Sequence, residues 1–345
     1  MDINFTIRVR CMTFNHAPYI EDAMNGFCIQ ETTFPFVCVI MDDASTDGEP
    51  EVIRKYFQEN FDLDNDDIVR SKETDDYVMT FAQHKKNKNC YFAVYFLKYN
   101  HYSIKRTKET YICEWFDNVD YIAICEGDDY WIDPFKLQKQ FEYLEGKKDV
   151  GMCYTKAIIV RNGKKVRTSN EPAIQTPLTM VLNGNSIITP TVLIRKKIMD
   201  NYYKEIDPQS KRWLMGDYPL WMYVSIHSKV ERIGNVTTSY REHPGSATHN
   251  IDPEKSIAFI KAGTEVKLFF IENYPLLFKD KKKILKKVEV AEKKRMIIYY
   301  IGVNCYKRAY NVISLSNHLF LFYIYASLRH ALSVFNKNSR SKLFK

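Results

Sequence analysis

Over roughly the first 130 residues, runs of strand length are followed by segments whose apolar residues recur at helical spacing. Runs of strand length occupy residues 5–12, 36–41 and 121–125, of which the last two are continuously apolar. The first two runs are each followed by apolar residues at helical spacing, which are Ile20, Ala23, Met24 and Phe27, then Val52, Ile53, Tyr56 and Phe57. Such runs predict strands buried on both faces of a parallel sheet, and their alternation with helices predicts an α/β nucleotide-binding layer.

The third apolar run ends directly in three carboxylates, Glu126, Asp128 and Asp129. Ligands of open α/β sheets bind outside the carboxyl ends of the strands, where these side chains are expected. Hard oxygen donors of this kind suit Mg²⁺ or Mn²⁺, which a few carboxylates and substrate phosphates usually hold. The alternative is a solvated acidic turn before a helix that Asp133 caps and Pro134 opens.

A second acidic turn, residues 42–48, follows the second apolar run and begins with Asp42 and Asp43. Its spacing imitates the start of an EF-hand loop, but the twelfth position is Arg54 where that loop requires a bidentate glutamate. We therefore reject calcium binding of the EF-hand kind. Two strands of the predicted layer end in acidic turns, which favours a cation site over a solvated turn.

Five short motifs, taken in order, resemble those of the family 2 inverting glycosyltransferases of bacterial cell-surface polysaccharides, which have the GT-A nucleotide-diphospho-sugar transferase fold. The motifs occupy residues 13–15, 42–48, 126–131, 216–221 and 240–246. The family's metal motif is usually Asp-x-Asp, whereas its first position here is Glu126. This departure leaves an inactive, degenerate transferase open as an alternative.

The resemblance implies a fold and a division of the chain. The fold is α/β, a Rossmann-like mixed sheet flanked by helices, and it forms a GT-A catalytic domain over residues 1–250. Within it, about 1–130 would bind the nucleotide sugar and 131–250 the acceptor. The chain changes composition near residue 251, and residues 251–345 are predicted to form a basic, aromatic C-terminal helical region.

The resemblance also assigns roles to the carboxylates. Displacing a nucleoside diphosphate from an anomeric carbon places negative charge on the leaving phosphates, which a bridging divalent cation stabilises. Asp128, with Asp129, would hold Mn²⁺ or Mg²⁺, and Glu126 would contact the donor or its hydrated metal. Asp42 or Asp43 would contact the base or ribose of the nucleotide-sugar donor, for which a UDP-sugar is expected.

Residues outside the acidic turns complete the site that the resemblance implies. Thr13 and Asn15 would line the nucleotide pocket, with ordinary strand-end and cap chemistry as the alternative. Asp217 would take the proton from the acceptor hydroxyl, although it is also suited to cap a helix, whose N-terminus would keep it ionised. After a predicted last strand, His243 would complete the metal site or Arg241 would neutralise the diphosphate.

The C-terminal region is basic and aromatic. Residues 279–295 hold nine Lys or Arg against three acidic residues, with apolar residues at helical spacing. This pattern suits contact with an anionic membrane, and the alternative is helices packed on the catalytic domain with solvated lysines. The apolar stretch at 319–326 is shorter than the roughly 20 residues of a spanning helix. We therefore expect a cytoplasmic protein, peripheral at the inner face of the plasma membrane, with a saccharide or lipid-linked acceptor.

Two other classes of protein remain open. A sugar nucleotidyltransferase shares the fold, but it should have a Gly-rich loop after the first strand, and residues 13–18 contain no glycine. A basic nucleic-acid- or membrane-binding protein would use the net charge of +8, but no recognition motif accompanies the basic cluster, so no nucleic-acid partner is expected. The eight cysteines lack Cys-x-x-Cys spacing, and with no signal-peptide pattern they indicate a reducing compartment.

Overall fold

The computed structural model describes residues 3–115, 119–211, 213–243, 252–314 and 319–342. The chain divides into two compact units, and each is considered by itself. The first comprises Met1–Thr176, Ser186–Asp207 and Tyr223–His243, and the second Pro177–Asn185, Pro208–Met222 and Pro244–Lys345. The two units are groups of chain segments with contacts among themselves, and this grouping does not test the domain boundary near residue 250. That boundary stays a prediction.

One mixed sheet organises the first unit, with 13 strands in the described part of the chain. In chain order they are β1 (Ile7–Thr13), β2 (Phe36–Asp42), β3 (Phe61–Asp62), β4 (Arg70–Glu73), β5 (Tyr77–His84), β6 (Cys90–Leu97), β7 (Tyr121–Ile124), β8 (Tyr130–Trp131), β9 (Val150–Arg161), β10 (Lys164–Thr168), β11 (Ile174–Gln175), β12 (Val192–Arg195) and β13 (Lys229–Glu242). The main order is β11-β13-β9-β12-β7-β1-β2-β6-β5-β3, and β10, β4 and β8 pair with β9, β5 and β13.

The helices of the described residues complete the two units. In chain order they are α1 (Ile20–Cys28), α2 (Glu49–Asn60), α3 (Lys136–Glu145), α4 (Pro177–Asn183), α5 (Lys196–Ile206), α6 (Pro208–Lys211), α7 (Asp217–His227), α8 (Pro253–Asn273), α9 (Lys281–Gly302), α10 (Tyr306–Ser314) and α11 (Phe320–Lys342), with 3-10 turns at Glu109–Trp115, Thr189–Thr191 and Pro275–Leu277. Helices α1, α2, α3 and α5 belong to the first unit, and α7 contains residues of both.

The three apolar runs form neighbouring parallel strands, as the sequence predicts. β1 pairs in parallel with β2 on one side and with β7 on the other, and β6 extends the parallel set beyond β2. Every residue of β2 and of β7 is buried, which agrees with burial on both faces of a layered sheet. The predicted α/β sheet flanked by helices is therefore confirmed.

The helix after the acidic turn begins later than the sequence predicts. It was expected to be capped by Asp133 and opened by Pro134, but α3 starts at Lys136. The Asp133 backbone N–H donates to the Thr237 carbonyl of β13 at 3.4 Å, so this residue is held beside the sheet. Its carboxylate still accepts a hydrogen bond from the Phe135 N–H at 2.9 Å, just before the helix.

In the second unit, α9, α10 and α11 share a small apolar core. Its buried members are Ile297, Ile301, Ala309, Ile313 and Leu319. The basic helix predicted over residues 279–295 is confirmed as the first part of α9, with Ile284 and Val288 buried. Searching the described residues finds no helix with the length and apolarity needed to cross a membrane.

Gly26 of α1 allows close packing of that helix on the sheet. A Cβ at this position would lie 2.8 Å from the backbone N and 2.9 Å from the backbone O of Trp131 in β8. Backbone atoms cannot move aside as the end of a flexible side chain can, so α1 or β8 would have to shift. The glycine therefore fixes the distance between α1 and the strand that follows the acidic turn.

We expect Gly26→Ala to lower the free energy of unfolding by about 1–3 kcal/mol, the usual cost of overpacking a tight core. Gly263 of α8 is the matched control, because a Cβ there would meet only the end of the Met215 side chain at 3.8 Å. Gly263→Ala should stabilise the protein by about 0.5–1 kcal/mol through higher helix propensity. Urea unfolding of both variants checks this, and equal effects would contradict the packing argument.

Candidate functional site

The carboxyl ends of β1, β2 and β7 converge at one edge of the sheet. Thr13 and Asp42 are register partners at the ends of β1 and β2. The Asp43 N–H donates to the Thr13 carbonyl at 3.0 Å, and the Gly127 N–H donates to the Met12 carbonyl at 3.2 Å. Backbone hydrogen bonds therefore tie the two acidic turns to the end of the first strand.

Glu49, the first residue of α2, organises the loops at this edge. It is buried, and its carboxylate accepts hydrogen bonds from the Thr13 hydroxyl, the His16 N–H at 2.9 Å and the Ser45 hydroxyl at 2.8 Å. Gly127 lies so close that a Cβ there would clash with the Thr13 side chain. Thr13 is thus a buried connection between the turns, and its predicted place in a nucleotide pocket stays a prediction.

Asn15 contacts the second acidic turn, residues 42–48, through two hydrogen bonds. It has a left-handed backbone conformation with φ of 57°, and its side-chain oxygen accepts from the Thr46 N–H at 2.8 Å. Its own N–H donates to the Ser45 hydroxyl at 2.8 Å. These contacts position residues 44–47, and they leave the predicted contact of Asn15 with a nucleotide untested.

Asp42 and Asp43 differ in their surroundings although both are buried. Both oxygens of Asp42 lie 3.3 Å from the Ser45 N–H, and burial raises its pKa to about 6. Asp43 accepts from the His101 and Tyr102 N–H groups at 2.8 and 3.1 Å and pairs with Lys108 at 2.6 Å. Asp43 therefore anchors the loop after β6, and the role of either residue toward a donor stays a prediction.

Asp128 lies beside two histidines. Its Oδ2 is 3.0 Å from His243 Nε2 and 4.0 Å from His16 Nε2, and one ligand atom from each residue lies within 4.8 Å of the others. All three residues are half-buried. Ligands about 2.1 Å from one ion lie roughly 3–4 Å apart, so the three residues could hold a divalent cation after small movements of their side chains. His16 comes from the loop after β1 and His243 follows β13, so three elements contribute.

Asp129 has a different partner from Asp128. It is buried, and its Oδ1 accepts a hydrogen bond from the Arg241 N–H at 2.7 Å. Burial, and then the neighbouring Asp128 carboxylate, raise the pKa of Asp129 well above its usual range. Among the described residues, the cluster consists of His16, Asp128 and His243, and Asp129 as a metal ligand stays a prediction.

Arg241 contacts the first acidic turn, residues 126–129. Its guanidinium donates to the Asp128 carbonyl at 2.8 Å, pairs with Asp22 and lies 4.3 Å from the ring centre of Tyr130. Glu126 is half-buried, and its carbonyl accepts from the Asp129 N–H at 3.2 Å. The predicted contacts of Arg241 and Glu126 with a donor are not tested by this arrangement. The motif that contains Arg241 continues to residue 246, and residues 244–246 lie outside the described residues.

Asp217 belongs to the second unit and is the first residue of α7. Its Oδ2 accepts from the Asn185 side-chain amide at 2.6 Å, and its Oδ1 accepts from the Tyr218 N–H at 2.7 Å. These contacts agree with the helix-end alternative. The role of Asp217 as a base stays a prediction.

Sequence reasoning missed two residues of this edge, His16 and Glu49. His16 stands one residue after Asn15, in the loop that was already expected to face the ligand, and its position was the available signal. Glu49 opens a helix and is a common first-turn residue, so nothing in its position indicated burial.

Solved structures with a similar fold include glycosyltransferases. S. aureus TarS in complex with UDP-GlcNAc is 16% identical, with 98% of this chain and 92% of that chain covered and a TM-score of 0.54. A mannosyltransferase from Pyrobaculum calidifontis in complex with GDP-Man and Mn²⁺ is 13% identical, with 96% and 87% covered and a TM-score of 0.51. The expected GT-A glycosyltransferase fold is therefore confirmed, and at these identities the likeness concerns the fold alone.

Among curated proteins, the chain is similar to uncharacterized mycobacterial proteins. Rv1520 of Mycobacterium tuberculosis and Mb1547 of Mycobacterium bovis are each 30% identical over 242 residues, which is 69% of this chain and 59% of each relative. The match thus spans little more than half the length of these relatives. No family model matches the chain.

We expect Asp42→Asn to stabilise the protein above pH 6 and to have little effect below pH 4. Because burial raises the pKa of Asp42 to about 6, folding takes up a proton between pH 4 and 6, and the charged carboxylate opposes folding at higher pH. Two pK units correspond to at most about 3 kcal/mol. Asparagine keeps an acceptor for the Ser45 N–H. Urea unfolding at pH 4 and pH 8 measures the difference, and a variant less stable at pH 8 would contradict it.

Proposed function

We propose that this protein transfers a sugar from a nucleotide-diphospho-sugar to a saccharide or lipid-linked saccharide acceptor, with inversion at the anomeric carbon and with a divalent cation. The observation that carries the proposal is the cluster of His16, Asp128 and His243 at the carboxyl ends of parallel strands. Ligands of open α/β sheets bind at this edge. Support also comes from TarS and the mannosyltransferase, which were solved with UDP-GlcNAc and with GDP-Man and Mn²⁺.

Asp128, His16 and His243 would hold the cation. When bound, Mn²⁺ or Mg²⁺ would stabilise the negative charge on the departing diphosphate. Imidazole nitrogen suits transition metals better than Mg²⁺, which prefers oxygen ligands, so two histidines favour Mn²⁺. Asp129, which was also predicted as a ligand, would instead hold the turn through its hydrogen bond to Arg241.

The remaining residues of this edge would position the donor. Asp42 and Asp43 would recognise the base or ribose, and Thr13 and Asn15 would line the nucleotide pocket. The contacts of Asp43 with two backbone N–H groups and Lys108 support this role, because they hold that carboxylate in one place. A UDP-sugar is the proposed donor.

Arg241 and Glu126 would act beside the phosphates. The Arg241 guanidinium donates to the Asp128 carbonyl, so its positive charge is held next to the proposed cation site. Glu126 would contact the donor or its hydrated metal. The proposed setting is surface polysaccharide synthesis at the inner face of the plasma membrane, where a cytosolic donor and a lipid-linked acceptor meet.

Donor hydrolysis tests the proposal directly. Purified protein is incubated with UDP-, GDP- and dTDP-sugars in Mn²⁺, Mg²⁺ or EDTA, and release of the nucleoside diphosphate is followed. We expect slow release from one donor that is faster with Mn²⁺ than with Mg²⁺ and is abolished by EDTA. Asp128→Asn, His16→Gln and His243→Gln should each lower Mn²⁺ affinity by tenfold or more, as measured by Mn²⁺ electron paramagnetic resonance.

His227 of α7 provides the control, because it is exposed and does not belong to the cluster. His227→Gln should leave Mn²⁺ affinity and hydrolysis unchanged. Unchanged Mn²⁺ affinity in His16→Gln would remove His16 from the site. Failure to bind any nucleotide sugar, with or without metal, would contradict the proposed function itself.

Asp217 is tested with two substitutions that separate its proposed tasks. Both Asp217→Asn and Asp217→Ser should lower kcat for donor hydrolysis by about 100-fold or more if Asp217 is the base. Serine at a helix start keeps a side-chain oxygen for the N-terminal N–H groups. If Asp217 acts only at the helix end, Asp217→Ser retains the wild-type rate. Calorimetric titration with the donor should give wild-type affinity in both variants.

A further inference from the structure

Helix α11 is apolar on two sides. One side packs on the core that it shares with α9 and α10, through Phe322, Tyr323 and Ala326. Farther along this side, His330 Nδ1 lies 3.0 Å from the Tyr306 hydroxyl of α10. These contacts orient α11 within the second unit and thereby determine which side chains face outward.

The outward side carries a stripe of large apolar residues. Its members recur at the helical spacing i, i+3, i+4 and i+7, and they are Leu321, Ile324, Tyr325 and Leu328. Their exposed fractions are 79%, 39%, 60% and 60%. A helix packed on one side normally presents polar residues on the other, so this exposed stripe offers a surface to a second apolar partner.

The net positive charge of the chain lies in the segment that contains this helix. The last acidic residue is Glu292, and the 53 residues after it contain ten Lys or Arg and no Asp or Glu. The preceding residues hold 40 Lys or Arg and 42 Asp or Glu, so they are almost neutral. Lys307, Arg308 and Arg329 of this segment are exposed, the last of them one residue from Leu328.

We propose that α11 docks the protein on an anionic lipid surface. The helix would lie in the interface, with the stripe among the upper acyl chains and the basic side chains on the headgroups. A second copy of this segment would bring ten like charges against ten, and nucleic acid does not require an exposed aliphatic stripe. An anionic bilayer accommodates both the apolar stripe and the basic side chains. The proposal does not depend on the proposed catalytic activity.

Vesicle sedimentation with the full chain tests the docking. We expect binding to phosphatidylcholine vesicles that contain phosphatidylglycerol, little binding to phosphatidylcholine alone, and weaker binding at high salt. The double variant Leu321→Ser/Leu328→Ser should bind at least about tenfold more weakly. Leu276→Ser is the matched control, because Leu276 is 91% exposed in the same unit but lies outside α11, and it should bind as wild type.

A second pair of variants isolates the charge. Each basic residue near an anionic surface contributes about a factor of five to binding. Lys307→Gln/Arg308→Gln/Arg329→Gln should therefore weaken binding by tenfold or more. The control Lys164→Gln/Lys165→Gln/Arg167→Gln removes the same charge from exposed positions of β10 and should leave binding almost unchanged. Circular dichroism and melting temperature should match wild type for all variants, since the substituted side chains are exposed.

Three results would overturn the proposal. The first is absence of binding to the anionic vesicles by wild-type protein. The second is wild-type binding by the Leu321→Ser/Leu328→Ser variant. The third is a dimer in sedimentation equilibrium that the same two substitutions dissociate, which would assign the stripe to a second copy of the chain.

Discussion

Several carboxylates converge where β1, β2 and β7 end, and like charges this close destabilise one another unless each has a compensating partner. The fold provides a different partner for each. Asp43 pairs with Lys108, Glu49 accepts hydrogen bonds from the loop after β1, and Asp129 is buried against the Arg241 backbone. Asp128 has the two histidines. The loops at this edge take their positions from these pairings.

The partners also separate carboxylates that look equivalent in sequence. Asp128 and Asp129 are adjacent, yet one lies half-buried beside imidazoles while the other is buried and bonded to a backbone N–H. Asp129 is buried and its pKa is raised, which suits a structural role, whereas a half-buried carboxylate beside imidazole nitrogens suits a cation. Asp42 and Asp43 are both buried but differ in another way, since burial raises the pKa of Asp42 while Asp43 has Lys108 as a counter-ion.

The two units have opposite electrostatic characters. The first concentrates carboxylates at one edge of its sheet, and the second ends in a segment without acidic residues in its last 53 positions. The acidic edge needs cations, and the basic helices favour anions. The acidic edge suits the metal-dependent transfer proposed for the first unit, and the basic helices suit the anionic surface proposed for the second. The two proposals therefore rest on separate observations.

Local pattern was sufficient for much of the fold. Apolar runs followed by acidic turns predict buried parallel strands with ligand-facing ends, because side-chain periodicity and turn chemistry depend on neighbours in the chain. The first part of α9 was predicted in the same way. The later start of α3 was missed because Asp133 is held by Thr237 of β13, and such a contact has no local signal.

The amino-acid sequence alone determined that carboxylates end these strands and that the last segment of the chain is basic and apolar. Only the tertiary structure decided which carboxylate meets which partner. His16, Asp128 and His243 come together because β1 and β7 are parallel neighbours and β13 ends beside the same turn. Strand register and the packing of distant segments fix those distances. The outward stripe of α11 was likewise decided by packing, since its spacing shows an apolar face but not which face the neighbouring helices cover.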